Sequence, residues 1–251
     1  MIVFTNWKMN KLLDESRTFI SKLVGEYGSN ERLELIMCVP SLYIGFLSPI
    51  CENTSIGIGS ENIFYEDSGQ YTGEISAPML VSVGCRYALI GHSERRKYFG
   101  ENDPDVNRKM ISALRHGLIP IICIGEDGEE REGGKTFEVL DRQVRECLHG
   151  LEAGHKCHVA YEPRWAIGTG ITPGYDEIEE AHKFISGKIE EHHGDGVRRG
   201  VSLLYGGSVN PDNVFRICSL ENVDGVGFGG CSLDLICLRK GLNESLRAET
   251  A

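Results

Sequence analysis

The chain has 251 residues, 41% apolar and 25% charged, which is enough to bury one large core and too hydrophobic for a disordered segment. Its formal charge is −11, from 37 acidic and 26 basic side chains, and no dense Lys/Arg stripe marks a nucleic-acid binder. No run approaches the roughly 20 apolar residues that span a bilayer. The first residues, Met1 to Asn6, read as a strand rather than the basic start and apolar run of a signal peptide. A cytoplasmic protein that engages neither membrane nor nucleic acid is therefore expected. Nine cysteines, an odd number in a long chain without a Cys-x-x-Cys pair, read as reduced thiols. His155, Cys157 and His158 lack a second ligand group at a known zinc spacing; they read as the start of a strand, and no metal site is expected.

In chain order, β-rich runs fall at Ile2–Asn6, Leu33–Val39, Ile56–Glu61, Tyr87–Ile90, Ile119–Ile124, Cys157–Glu162, Val201–Tyr205 and Val223–Phe228. Between them, Ser16–Tyr27, Val106–His116, Phe137–Leu148 and Tyr175–His192 carry apolar residues at helical spacing. Asp176 suits the cap of the last of these, and Pro211 the first turn of a further helix. Eight strand–helix units of about 31 residues each predict a single-domain (β/α)8 barrel over residues 1–251. The rival is an open doubly wound sheet, but the first strand runs into Asn6-Trp7-Lys8 and not into a glycine fingerprint. Gly225, Gly227 and Gly230 do match Gly-x-Gly-x-x-Gly, yet too little chain follows for a helix, a second strand and an acidic ribose ligand.

Barrels of this kind gather their reactive groups at the C-terminal ends of strands. Those ends hold Asn6 and Lys8, Glu61 and Asn62, His92, Cys123 and Glu126, Glu162, Gly206-Gly207-Ser208, and Gly229-Gly230. A lysine, a histidine and a carboxylate from three strands, with two glycine-rich turns, point to proton transfer on a small phosphorylated compound. Glycines after the seventh and eighth strands let backbone N–H groups approach an anion closely. Taken singly, each has a plainer reading: a solvated carboxylate at Glu162, a structural His92, a surface Lys8, tight turns at the glycines. The segment Arg164–Gly170 mixes bulky apolar residues with glycine, as a segment that covers a site would.

Five motifs then occur in order: Asn6-Trp7-Lys8-Met9-Asn10, Gly91-His92-Ser93-Glu94-Arg95-Arg96, Tyr161-Glu162-Pro163, Trp165-Ala166-Ile167-Gly168-Thr169-Gly170 and Tyr205-Gly206-Gly207-Ser208-Val209. With Tyr71-Thr72-Gly73-Glu74-Ile75-Ser76 and Cys123-Ile124-Gly125-Glu126, they resemble the signature segments of the triosephosphate isomerase family across essentially the whole chain. The resemblance implies a TIM barrel that interconverts dihydroxyacetone phosphate and glyceraldehyde 3-phosphate, without a cofactor, in glycolysis and gluconeogenesis. It makes Glu162 the general base and His92 the neutral electrophile; the resemblance, not the spacing, assigns these roles. His92 precedes Ser93-Glu94-Arg95, a helix start whose positive end favours a neutral ring. Lys8 and Asn6 would stabilise substrate and enediolate, with Glu94 partnering the lysine and Ser93 and Cys123 in support. Gly168, Ser208, Gly229 and Gly230 match phosphate-binding positions, and Pro163–Gly170 the closing lid.

Thr72 and Glu74 resemble the tip of a loop that enters a neighbouring subunit, where the glutamate meets an arginine matching Arg95; a homodimer follows, with a tetramer left open. The chain departs from the family at Arg164 (usually small and apolar), Ile171 (usually lysine), Glu61 (usually glutamine) and Gly227. At Gly227 the family has a leucine that presses on the catalytic carboxylate opposite Ile167. Glycine there is expected to leave Glu162 more hydrated unless Phe228 refills the gap, so that Gly227→Leu would raise turnover if the backbone tolerates it. Two other readings stand beside the isomerase: a related barrel acting on a different phosphorylated aldose/ketose pair, and a phosphate-binding scaffold. Cys231 and Cys237 read as surface-helix residues without a role.

Overall fold

The computed structural model describes residues 1–167 and 172–249. Each of the eight apolar runs becomes a parallel strand: β1 Ile2–Asn6, β2 Glu34–Val39, β3 Ile56–Ser60, β4 Tyr87–Ile90, β5 Ile119–Ile124, β6 Cys157–Tyr161, β7 Val201–Tyr205 and β8 Gly225–Phe228. Every strand pairs with the next, and β8 pairs with β1, so the sheet closes on itself. Four of the eight predicted strands have the observed bounds, and the other four differ at one end by one or two residues. Glu61 and Glu162 fall just past their strands, where side chains can turn into the barrel mouth. At β8 the Asp224 carboxylate accepts the Leu203 N–H at 2.7 Å, and the strand begins only at Gly225.

Both faces of the strands are covered, which is why they read as continuous apolar runs. Inside, Phe4, Ile36, Cys38, Tyr87, Leu89, Ile121, Cys123, Ala160 and Leu204 fill the barrel. The Tyr87 ring lies over Gly57 of the neighbouring strand: a Cβ there would lie 2.3 Å from the ring, so the large side chain needs a glycine beside it. Outside, a second cluster packs strands against helices that include Leu13–Tyr27, Asp103–Arg115, Thr136–Cys147, Tyr175–His193 and Leu235–Ala248. Among the described residues, no helix is long and apolar enough to cross a membrane.

Two helix starts differ from the sequence reading. Gly174, not Asp176, caps Tyr175–His193, because Glu177 reaches back to accept the Gly174 N–H at 2.7 Å and leaves Asp176 in the first turn. Pro211 stands in a turn just before the helix Val214–Cys218, where the Asn210 side chain accepts the N–H groups of Asp212 and Asn213.

At the N-terminal end of the barrel, Glu34 gathers the Tyr87 hydroxyl at 2.9 Å, Lys156 Nζ at 2.8 Å and His158 Nε2 at 3.5 Å. Burial alone would raise the Glu34 pKa, but the His158 and Lys156 contacts outweigh it and hold the carboxyl at about 2. Cys157 and His158 are the first residues of β6, the strand start expected for them.

The expectation of nine free thiols is overturned. Seven cysteines are free and buried, while Cys231 and Cys237 are joined by a disulfide. Cys231 belongs to the 3-10 turn Gly230–Leu233 after β8, and Cys237 to the first turn of Leu235–Ala248. The chain reverses between them, bringing their Cα atoms within 5.4 Å, inside disulfide reach.

Candidate active site

The ends of β1, β4 and β6 bring three ionisable groups together. His92 follows β4 and caps the helix Ser93–Phe99, its Nδ1 accepting the Glu94 N–H at 3.2 Å. That bond leaves Nδ1 as the acceptor and places the ring proton on Nε2. Nε2 lies 3.6 Å from Glu162 Oε1, with both side chains almost wholly buried. The other Glu162 oxygen accepts the Ser93 N–H at 3.2 Å, so the same helix start orients both carboxylate and histidine. Lys8, held in a left-handed conformation at φ 54°, donates its backbone N–H to Asn6 Oδ1 at 2.9 Å. Its ammonium pairs with Glu94 Oε1 at 2.7 Å, while Glu94 Oε2 sits 3.7 Å from His92 Nδ1. Lys8, Glu94, His92 and Glu162 thus form one linked series at the barrel mouth.

Below them Cys123 is buried against Glu162; burial first, then the neighbouring carboxylate, pushes its thiol well up and keeps it protonated. Gly206 abuts Glu162 from the β7 side, since a Cβ there would lie 2.8 Å from Glu162 Cγ. Asn213 Nδ2 ties down the Ser208 carbonyl at 3.0 Å. After β8, a Cβ on Gly229 or Gly230 would meet nothing within 4 Å, which is the open space an approaching anion would occupy. Ser232 Oγ donates to the Asn6 carbonyl at 3.5 Å and so links that turn to β1. Gly168 and Ile171 lie outside the described residues. Together these groups can take a proton from carbon, donate one to oxygen and hold an anion nearby.

The comparisons agree with this geometry. A family model described as triosephosphate isomerase matches residues 1–240. A triosephosphate isomerase of Moorella thermoacetica is 44% identical over 237 residues, covering 94% of each chain. One from Dictyoglomus thermophilum is 44% identical over 92% of this chain and 94% of its own. The crystal structure of the Bartonella henselae triosephosphate isomerase superposes with a TM-score of 0.86 at 34% identity, covering 97% of this chain and 98% of that one. The chain belongs to the triosephosphate isomerase family. It is an isomerase on a TIM barrel.

Three of the four positions that the resemblance set apart, Gly227, Glu61 and Arg164, have physical accounts in the structure. The space beside Gly227 is not empty: its Cβ would lie 2.3 Å from Phe4 Cζ, so the Phe4 ring of the neighbouring strand fills it. Phe228 does not refill it, because it packs outward, where a Cβ on Gly241 would come within 2.5 Å of its ring. Glu61 has its pKa raised to about 8, chiefly by burial and then by Glu94, against the lowering influence of Lys8. Protonated at neutral pH, it offers one donor and one acceptor oxygen, as glutamine's amide does. Arg164 anchors the chain just after Glu162-Pro163: Nε donates to the Gly125 carbonyl at 3.1 Å and Nη2 pairs with Glu130 at 2.8 Å and Asp127 at 3.2 Å.

Glu126 does not join the reactive series. It is buried and accepts from the Trp165 indole at 2.8 Å and the Tyr161 hydroxyl at 3.2 Å. The sequence reading also missed a buried ion network behind His92. Arg96 pairs with Asp103 at 2.5 Å and donates to the Gly91 carbonyl at 2.9 Å. Glu101 receives the Gly91 N–H at 3.0 Å and the charges of Arg95 (2.8 Å) and Lys109 (2.5 Å). A basic run beside scattered acids looks like a surface in sequence; the glycine just before the histidine was the available hint that its carbonyl and N–H needed partners.

Proposed function

We propose that Glu162 moves a proton between C1 and C2 of dihydroxyacetone phosphate and glyceraldehyde 3-phosphate through an enediolate. The observation that carries this reading is the 3.6 Å approach of His92 Nε2 to Glu162 Oε1, with the ring proton on the nitrogen facing the site. Glu162 takes the carbon-bound proton, and His92 Nε2–H donates to the carbonyl oxygen as negative charge develops there. Lys8 supplies the opposing positive charge, held ready by Glu94, and Asn6 adds a hydrogen bond. Ser93 holds the carboxylate in place and Cys123 packs beneath it. Gly168, Ser208, Gly229 and Gly230 grip the phosphate. The rearrangement is redox-neutral, so proton transfers alone balance it and no cofactor is called for. The reaction serves glycolysis and gluconeogenesis in the cytoplasm.

The working form is a homodimer. Residues 66–74, including Thr72 and Glu74, stand exposed, with Phe64 N–H donating to the Ile75 carbonyl at 2.8 Å across the loop base. A cavity of about 880 Å³ opens beside Lys8, lined by Asn6, Glu61, His92 and Arg95 and rimmed by exposed Met9, Leu42 and Phe99. An exposed loop and an apolar-rimmed cavity on one chain fit a two-fold assembly in which each loop fills the other's cavity and the partner subunit's Glu74 meets Arg95.

A coupled isomerase assay tests the chemistry. Glu162→Gln should lower kcat roughly 100- to 10,000-fold while leaving phosphate binding measurable, since the amide cannot take the proton. Near-normal turnover would remove Glu162 from its role, and a protein that binds phosphate without isomerising would favour the scaffold reading. For assembly, analytical ultracentrifugation should give a dimer that Glu74→Arg weakens by setting like charges together at Arg95. A fully active monomer would refute the assembly.

A further inference from the structure

We propose that Cys231 and Cys237 are a reversible thiol–disulfide site, open to dithiol reductants, whose oxidised form holds the turn after β8 in its phosphate-gripping shape. The effect on phosphate rests on the role given above to Gly229 and Gly230; the redox site itself does not. Cys231 directly follows Gly230 in the 3-10 turn Gly230–Leu233, and Cys237 lies in the first turn of Leu235–Ala248. Both are half-buried, and between them Asp234 and Ile236 are exposed, so a thiolate can approach the bridge from solvent.

The inner side of the turn is fastened to the barrel by polar contacts. Ser232 Oγ donates to the Gly229 carbonyl at 2.6 Å and the Asn6 carbonyl at 3.5 Å, and Lys11 Nζ donates to the Leu233 carbonyl at 2.8 Å. The outer side is fastened covalently by the disulfide, with the Asp234 carboxylate accepting the Cys237 N–H at 2.7 Å. Gly229 and Gly230 have no side chains to pack, so the positions beside them must restrict their backbone. Opening the bridge at the residue after Gly230 frees two adjacent glycines to leave the binding shape. The ligand must then supply that ordering itself.

Selectivity comes from the remaining cysteines. All seven are buried, and burial pushes Cys51, Cys85 and Cys218 to about 11 and Cys157 to about 12. They are therefore shielded and protonated in the folded protein. Reduction balances as a two-electron exchange. A thiolate of the dithiol attacks one sulfur of the bridge, forming a mixed disulfide and releasing the other cysteine as thiolate. The dithiol's second thiol then displaces the bound cysteine, the reductant leaves as a disulfide, and both cysteines take up a proton.

The test uses the whole protein, as purified under air and after dithiothreitol. Iodoacetamide labelling of the folded protein with peptide mapping should place label on Cys231 and Cys237, and on no other cysteine, only after reduction. Reduction should raise both KM for glyceraldehyde 3-phosphate and the dissociation constant of inorganic phosphate roughly 3- to 10-fold, with kcat changed by less than about twofold, reversibly on re-oxidation. Cys231→Ser and, separately, Cys237→Ser should carry the reduced values with or without dithiothreitol. Label on both cysteines without reductant would overturn the site, and equal phosphate affinity in the two states would overturn its role. If neither state isomerises, the function above fails, while labelling and inorganic phosphate binding still decide this proposal.

Discussion

The register places Phe4 directly opposite Gly227, and the Phe4 ring stands where a side chain at position 227 would go. A Cβ built on Gly227 falls 2.3 Å from Phe4 Cζ and 2.4 Å from Cε1, where carbon contacts settle at about 3.5–4.0 Å. Leucine would add three further carbons to that clash. Overpacking of this kind costs about 1–3 kcal/mol, and the barrel interior leaves little room to relax, which puts Gly227→Leu near the upper end. At roughly 2–4 °C per kcal/mol for a chain of this size, its Tm should fall by about 4–12 °C. Phe4→Ala should also destabilise, by about 3–5 kcal/mol, because it leaves a cavity. Combining the two lets leucine occupy the space vacated by the ring, so the double variant should be more stable than the sum of the singles predicts by about 1–3 kcal/mol. Urea unfolding of all four proteins closes the cycle, and kcat of the double variant tests whether moving bulk from position 4 to position 227 changes turnover. A Gly227→Leu protein with unchanged Tm and raised turnover, or strictly additive energies, would refute the exchange of bulk between β1 and β8.

Two half-buried carboxyls should give opposite pH signatures. Glu61 keeps its proton to about pH 8 in the folded chain, beside Lys8 and Glu94, whereas the unfolded chain loses it near 4.5. Stability should therefore decline as pH rises from about 4.5 to 8, and Glu61→Gln should flatten that part of a Tm-against-pH profile; an identical slope in both proteins would count against it. Glu34 is held at about 2 against an ordinary 4.5, so its contribution is present above about pH 4.5 and lost as pH falls towards 2. Glu34→Gln should remove at most about 3 kcal/mol of stability at pH 7 and make the acid limb shallower, and equal acid limbs in urea melts would dismiss the role.

The strands were legible because burial on both faces writes them as short apolar runs, and the candidate site because its side chains follow those runs at once: His92 after Ile90-Gly91, Glu162 after Tyr161. What escaped was contact between distant parts of the chain. Gly227 read as a missing leucine because its partner, Phe4, lies at the other end of the sequence. Arg96 was given no role of its own because Asp103 and the Gly91 carbonyl meet it only once the helix Ser93–Phe99 is in place. Cys231 and Cys237 escaped because five intervening residues carry no recognised disulfide spacing; a 3-10 turn and a helix start bring them together. Asp176 was misplaced as a cap by two positions, a local competition that Glu177 wins by reaching back to Gly174.

Closure of the sheet by β8 against β1 also sets a schedule for synthesis. Lys8 stands in the loop after the first strand, yet that loop is secured by Lys11 to the Leu233 carbonyl and by Ser232 to Asn6, partners 222 and 226 residues apart in the chain. At the usual 5–20 residues per second, a ribosome takes on the order of 10–45 s to travel between these partners. For that interval the β1 edge that β8 covers is unpaired, and Lys8 stands in a loop whose fastenings are not yet made. Until β8 arrives, that edge of β1 offers unpaired backbone N–H and C=O groups to any other strand.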